Sequence, residues 1–416
     1  MTRTREESEL EIGRTAFMGA FEGDAPTHLS RAPGRVNLIG EHTDYNDLPV
    51  FPMALQREIR VFFVPREDDR VYITNFHAEF QDRSFQLSEE IPPEAPGDWG
   101  NYLKAPCQAL RRRFGPLRGF DGLVLSTLPV ASGLSSSSAL VNAVAGALLH
   151  TNEIQMETLE LAEEMARAER YTGTQGGGMD QAISLGAKGG HASRIEFNPL
   201  RMEPSPTPEK WSFIVAHTLV RAEKSGAAQE AYNRRREECT EALARVAEIR
   251  AVRERCTGDT GKAVTYPRLI RSIPVGELVE MASEALPPTL LSRFRHVVTE
   301  AVRVYGAEEA MRKKDLLTFG ILMDASHESL RVDYDVSSPE LDELVEMARE
   351  AGAAGARLTG AGFGGCIVAL TEETKAGRIM AALEEGYFRG RDLPGPLSDI
   401  LFQARPSAGA SILNLA

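Results

Sequence analysis

Arg31-Ala-Pro-Gly-Arg-Val-Asn-Leu-Ile-Gly-Glu-His-Thr-Asp-Tyr-Asn46 puts two arginines, two carboxylates and an imidazole into sixteen residues, among glycine and apolar side chains. Carboxylates accept from vicinal hydroxyls, and histidine or backbone donors complete such a pattern. Arg35, Glu41, His42 and Asp44 therefore suit a polyhydroxyl ligand. Two other readings stand beside this one: a surface turn closed by an Arg35–Glu41 ion pair, and a metal site of Glu41, His42 and Asp44. The metal reading ranks last, because adjacent Glu41 and His42 point to opposite faces of an extended chain.

Downstream lies Pro129-Val-Ala-Ser-Gly-Leu-Ser-Ser-Ser-Ser-Ala-Leu140. A strand pattern over Gly122–Pro129 runs into a Gly/Ser turn and then an apolar helix pattern, Ala139–His150. Such a turn presents backbone N–H groups at a helix N-terminus, where the helix dipole favours an anion. Ser135 to Ser138 add hydroxyls within reach of a phosphate or Mg²⁺. No Gly-Lys-Ser/Thr follows, so this is not a Walker A loop. Taken alone, the serines also read as a helix N-cap with a solvated flank.

The rest of the 416-residue chain sets the frame. That length predicts two lobes. A net charge of −13 makes nucleic acid and anionic membranes poor partners. Cys107, Cys239, Cys256 and Cys366 are scattered, with no C-x-x-C pair, which predicts reduced thiols in the cytosol and no zinc framework. Neither a signal peptide nor a membrane-length apolar run is visible. A soluble cytoplasmic protein, monomeric by default, is expected.

Strand patterns at Glu58–Val64, Val71–Asn75, Ser212–His217 and Cys366–Leu370 mix irregularly with helical patterns, including Met156–Tyr171, Gln229–Arg250 and Pro339–Ala351. That mixture argues for an α+β fold. Glu203–Lys210, with three prolines in eight residues, is the expected lobe boundary, giving domains 1–205 and 206–416.

With these stretches in view, the chain resembles the galactokinase family of the GHMP kinases. Gly34–Asn46 is similar to the galactokinase signature, Pro129–Leu140 to the phosphate loop, and Gly355–Leu370 to the third, glycine-rich motif. Gly176–Ser184 and Ser326–Val345 fit as well, in family order. The resemblance implies a ribosomal-S5-domain-2-like N-lobe and a ferredoxin-like C-lobe, with ATP and a sugar in the cleft between them. It implies Asp180 as catalytic carboxylate and Arg35 as stabiliser of the transition state. Glu41, His42, Thr43, Asp44, Gly178 and Tyr232 become sugar contacts. Trp99 becomes the aromatic near adenine, Ala131, Ser132, Gly133, Leu134, Ser135, Ser136 and Ser137 the nucleotide loop, and Ser137 with Glu169 the Mg²⁺ ligands. Elementary chemistry agrees with these roles. Phosphoryl transfer needs positioning and charge neutralisation, and Mg²⁺ takes hard oxygen ligands while keeping waters.

Two departures bear on the sugar. Leu48-Pro49 stands where the family usually has a glycine, which stiffens the loop behind the site. Gly176-Gly-Gly-Met-Asp180 resembles N-acetylgalactosamine kinases, whereas Tyr232 matches galactokinases. The expected acceptor is therefore D-galactose at its anomeric hydroxyl, with N-acetylgalactosamine second and L-arabinose third. An inactive sugar- and ATP-binding regulator is the alternative of another class. The intact Gly133–Ala139 segment, together with Asp180, Glu169 and Arg35, argues against it.

Overall fold

The computed structural model describes residues 5–129, 132–173, 176–220, 227–257 and 263–415. Strand β1 (His28–Asn37) pairs antiparallel with β2 (Pro52–Pro65), and β2 with β5 (Phe120–Ser126). Strand β3 (Arg70–Asn75) joins β5 in parallel and carries β4 (Arg83–Gln86) on its other side. The helices Gly100–Phe114 and Ser136–Thr151 pack on one face of this sheet, and Arg5–Ala20 covers the other. Period-two alternation assigns the faces. Phe63 and Val61 enter the larger core with Leu103 and Val144, whereas Phe62 joins Phe17 and Leu123 on the far side.

Pro33-Gly34 does not end β1. The register with β2 shifts between Pro33 and Arg35, a bulge that extra bending makes possible. Gly34 is required there, because a Cβ would stand 2.5 Å from Leu128 Cδ2 and 2.6 Å from the Leu134 carbonyl.

A hairpin of β6 (His191–Glu196) and β7 (Arg201–Pro206) follows. The proline-rich stretch expected to be a boundary is thus partly a strand. Pro204 and Pro206 are tolerated because β7 has a partner on one side only. The second main sheet has the order β11-β8-β10-β9, all antiparallel: Leu401–Ala404, Trp211–His217, Cys366–Glu372 and Gly355–Thr359. Helices lie between β8 and β9, and again between β10 and β11, so the connectivity is ferredoxin-like as expected.

The expected split at residue 205 needs one amendment. Strand β12 (Ser411–Asn414) returns to the first sheet and pairs with His28–Arg31, covering an edge that would otherwise be open. The halves also share a core. Phe213, Val215 and Val368 of the second sheet belong to the same apolar cluster as Val36 and Phe51 of the first. Among the described residues no helix is long and apolar enough to cross a membrane.

Candidate active site

Arg35 is aimed by the β1 bulge. Its Nε donates to Asp180 Oδ1 at 2.8 Å and its Nη1 to the Gly133 carbonyl at 2.6 Å. Its backbone N–H donates to Leu134 O at 3.1 Å. One arginine thus joins the sugar-side strand, the phosphate loop and the acidic residue that opens the helix Met179–Gly186. Around this pair lies a cleft lined among others by Glu41, His42, Asp44, Glu169, Gly176 to Gln181, Tyr232 and Gly360.

Glu41 is 2% exposed, and its Oε1 accepts from the Gly360 backbone at 2.7 Å. Burial raises its carboxyl, and Arg357 and Arg35 pull it back. Asp44 is pushed up to about 6, first by burial and then by the charge of Asp180. Its Oδ2 accepts from Gly177 N at 3.2 Å. Burial thus disfavours both carboxylates as anions, Glu41 against the opposing charges of Arg357 and Arg35 and Asp44 with the added repulsion of Asp180.

His42 departs from expectation. Burial, with His296 nearby, lowers it to about 3, so the ring is neutral with a single N–H. Nε2 donates to Ala361 O at 3.2 Å, and Nδ1 accepts from the Tyr45 hydroxyl at 2.8 Å. Both nitrogens are engaged within the protein, so His42 offers the cleft a ring surface. Tyr45 is in turn 2.7 Å from Tyr334 Oη. Tyr232 packs against His42 and Tyr45 with ring centroids 5.5 and 5.6 Å apart. Thr43, expected among the sugar contacts, is turned inward. Its hydroxyl donates to the carbonyls of Gly40 and Pro49, both at 2.9 Å, and it does not line the cleft. Leu48 is 1% exposed and packs in the second core, which anchors the departing loop without opening it.

Of the three glycines before Met179, two have backbone reasons. A Cβ on Gly177 would sit 2.4 Å from Asp44 C and Tyr45 N, and Gly178 has φ +109° ahead of the helix. Only Gly176 faces open space.

On the phosphate side, Ser135 has φ +60° and starts the helix Ser136–Thr151. Its buried Oγ has no hydrogen-bond partner among the described residues. Leu134 is core, so only its backbone serves the loop, and the Ser132 hydroxyl donates to Pro129 O at 2.9 Å. Ser136 and Ser137 are half-buried on the first helical turn. Ala131 lies outside the described residues. Ser138, not Ser137, reaches Glu169: its Oγ donates to Oε2 at 2.7 Å. Successive helical residues are separated by roughly 100°, which turns Ser137 aside. The Gln181 amide also donates to Glu169 Oε2, while Oε1 is buried without a partner. Trp99 is not in the cleft lining. Its Nε1 donates to Gln81 O at 3.0 Å, and its ring packs on Phe80 at 5.6 Å.

Gln181, Gly360 and Ala361 were not singled out from the sequence, and Ser138 only as the last of four serines. Their signals were present: Gln181 follows Asp180, and the other three lie in or beside recognised motifs.

This architecture and cleft are those of the GHMP kinases. The GHMP kinases N terminal domain matches residues 101–188 and the GHMP kinases C terminal domain residues 307–389. The Methanococcus jannaschii mevalonate kinase shares the fold, with a TM-score of 0.59 at 19% identity over 91% of this chain and 98% of that one. The galactokinase galactose-binding signature matches residues 15–65. The Lactococcus lactis galactokinase complexed with galactose superposes with a TM-score of 0.84 at 29% identity, over 97% of this chain and 99% of that one. The galactokinase of Chloroflexus aggregans is 40% identical over 91% of this chain and 92% of its own, and that of Haemophilus influenzae 35% over 86% and 88%. The chain belongs to the galactokinase family and is a sugar kinase.

Proposed function

We propose that the protein transfers the γ-phosphoryl group of ATP to the anomeric hydroxyl of D-galactose, giving galactose 1-phosphate and ADP. The observation that carries this reading is the 2.8 Å Arg35–Asp180 pair inside a cleft lined by Glu41, Asp44 and Tyr232. Asp180 accepts the anomeric proton as the sugar oxygen bonds to phosphorus and the bridge to ADP breaks. Arg35 orients that carboxylate and offsets charge on the moving group. Glu41 and Asp44 hold sugar hydroxyls, and Ser135 with the loop N–H groups receives phosphate oxygens.

The donor set suits Mg²⁺. Glu169 Oε1 is a buried oxygen without a partner, beside a serine hydroxyl. Glu169 would hold the ion with that hydroxyl, and the ion would neutralise phosphate charge when bound. Among the described residues no cluster of three or more His, Cys, Asp or Glu suits a metal, as expected if the nucleotide supplies the remaining oxygens.

Because Gly177 and Gly178 answer to the backbone, the triple glycine is not itself a sign of a pocket widened for a 2-acetamido group. Galactose is therefore the favoured acceptor. ADP release from Mg²⁺-ATP, measured with galactose, N-acetylgalactosamine, L-arabinose, glucose and mevalonate, tests the reading. Preferential turnover of galactose is expected. Faster turnover of N-acetylgalactosamine would replace the acceptor, and sugar binding without turnover would make the protein a sensor.

A further inference from the structure

The loop bearing Glu41 comes from the first half of the chain but is gripped by the second. Glu300 Oε1, on the helix Pro288–Lys313, accepts from Gly40 N at 2.9 Å and from Ser326 Oγ at 2.6 Å. His296 Nε2, one turn earlier, donates to Glu41 O at 3.1 Å, and its Nδ1 lies 3.0 Å from Ser329 Oγ. Arg357 on β9 is 0% exposed. Its Nη1 donates to Asn37 O at 3.0 Å and stands 3.6 Å from Glu41 Oε1, while Nε donates to Ser326 Oγ at 3.1 Å. Its Nη2 is buried with no hydrogen bond among the described residues.

Burying a guanidinium between two buried carboxylates is a poor way to stabilise a fold. A packed apolar group of similar volume usually does as well or better. Nothing around Arg357 is at the surface, so solubility does not explain it. What the arrangement does fix is the backbone on either side of the Gly40–Glu41 bond, through the Gly40 N–H and the Glu41 carbonyl, and Glu41 Oε1, already bonded to Gly360 N. The rest of the Glu41 carboxylate is left to the cleft that Glu41 lines.

We propose that Arg357, with Glu300 and His296 behind the Gly40–Glu41 peptide, is a positioning residue that orients the Glu41 carboxylate toward the sugar. The inference rests on the reading of Glu41 as a sugar contact. It assigns the sugar's affinity partly to side chains that never touch the sugar.

The test compares E41Q, R357M, R357K and E300Q by kcat, galactose KM and ATP KM, with thermal melts as a check on folding. E41Q is expected to raise galactose KM about tenfold or more, the cost of a lost charge-assisted contact. R357M should raise galactose KM about tenfold while ATP KM stays within about twofold, and R357K should recover most of the loss because it keeps the charge. E300Q keeps an acceptor for Gly40 N–H and should raise galactose KM about threefold. An impaired E41Q beside folded R357M and E300Q with wild-type galactose KM overturns the positioning role. So does R357M losing kcat and stability with galactose KM unmoved. A wild-type galactose KM in E41Q overturns the sugar reading itself, and the inference with it. If R357M does not fold, R357K and E300Q decide on the same criterion.

Discussion

The sugar-side loop and the phosphate loop border the same cleft, yet they are finished to different degrees. Around Gly40–Asp47 nearly every polar group has a partner. The Thr43 hydroxyl closes its turn, His42 uses both ring nitrogens, and Glu41 Oε1 takes the Gly360 N–H. Across the cleft, Ser135 Oγ and Glu169 Oε1 are buried without partners among the described residues. Buried polar groups ordinarily find partners, and these two lie where the proposed reading places phosphate oxygens and a metal ion. On the proposed reading, the sugar meets a preformed surface, and the nucleotide with its metal supplies the missing bonds on the other side.

The sharpest way to break this comparison is at the residue between the two sides. Asp180→Asn should lower kcat by roughly 10²–10⁴, the usual worth of a general base, with nucleotide affinity nearly unchanged. Single-turnover kinetics beside nucleotide titration would check it, and wild-type kcat would remove Asp180 from the chemistry. The rigidity of the sugar side is next. Gly177→Ala drives a Cβ to within 2.4 Å of the Asp44 backbone, whereas Gly176→Ala meets nothing within 4 Å. The first should cost roughly 1–3 kcal/mol of stability and the second under about 0.5, read from denaturant melts.

The incompleteness of the phosphate side gives a smaller effect. Glu169→Gln should raise the Mg²⁺ concentration for half-maximal activity about tenfold, since one ligand charge is lost. An unchanged Mg²⁺ dependence would place the ion elsewhere. The smallest effect concerns Asp44. Its carboxyl is raised from 3.8 to about 6, so the folded state holds the proton more tightly than the unfolded one. That contribution is present below about pH 4 and lost as pH rises toward 6 and above. Asp44→Asn should therefore leave the sugar-free protein more stable at pH 7.5, while weakening galactose binding. A melting curve against pH that is identical in both proteins would refute this.

Reading the chain alone located both sides of the cleft, because Gly34–Asn46 and Pro129–Leu140 are short segments whose local chemistry is nearly self-contained. It did not show how side chains are aimed. Four consecutive serines look alike in sequence. Only the left-handed Ser135 sets the helical phase that turns Ser138, rather than Ser137, to Glu169. His42 reads as a donor to a ligand until Tyr45 and Ala361 are seen to occupy both its nitrogens. No strand is read from the sequence over His28–Asn37, whereas the long pairing with β2 carries one through Pro33-Gly34 as a bulge. Ser411–Asn414 is too short to register as a strand without its distant partner. Arg357 and Glu300 are ordinary charges until burial makes them costly.

That last strand has a consequence for how the molecule is made. Its pairing joins Arg31 to Ser411, and Leu415 N donates to Thr27 O at 2.9 Å. The sheet that carries Arg35 therefore keeps an unpaired edge while almost all the remaining chain is synthesised. Such late closure slows folding and leaves the edge open to other strands in the interval. A chain cut short before Ser411 would contain the residues of the cleft and still lack the seal on the strand that aims its arginine.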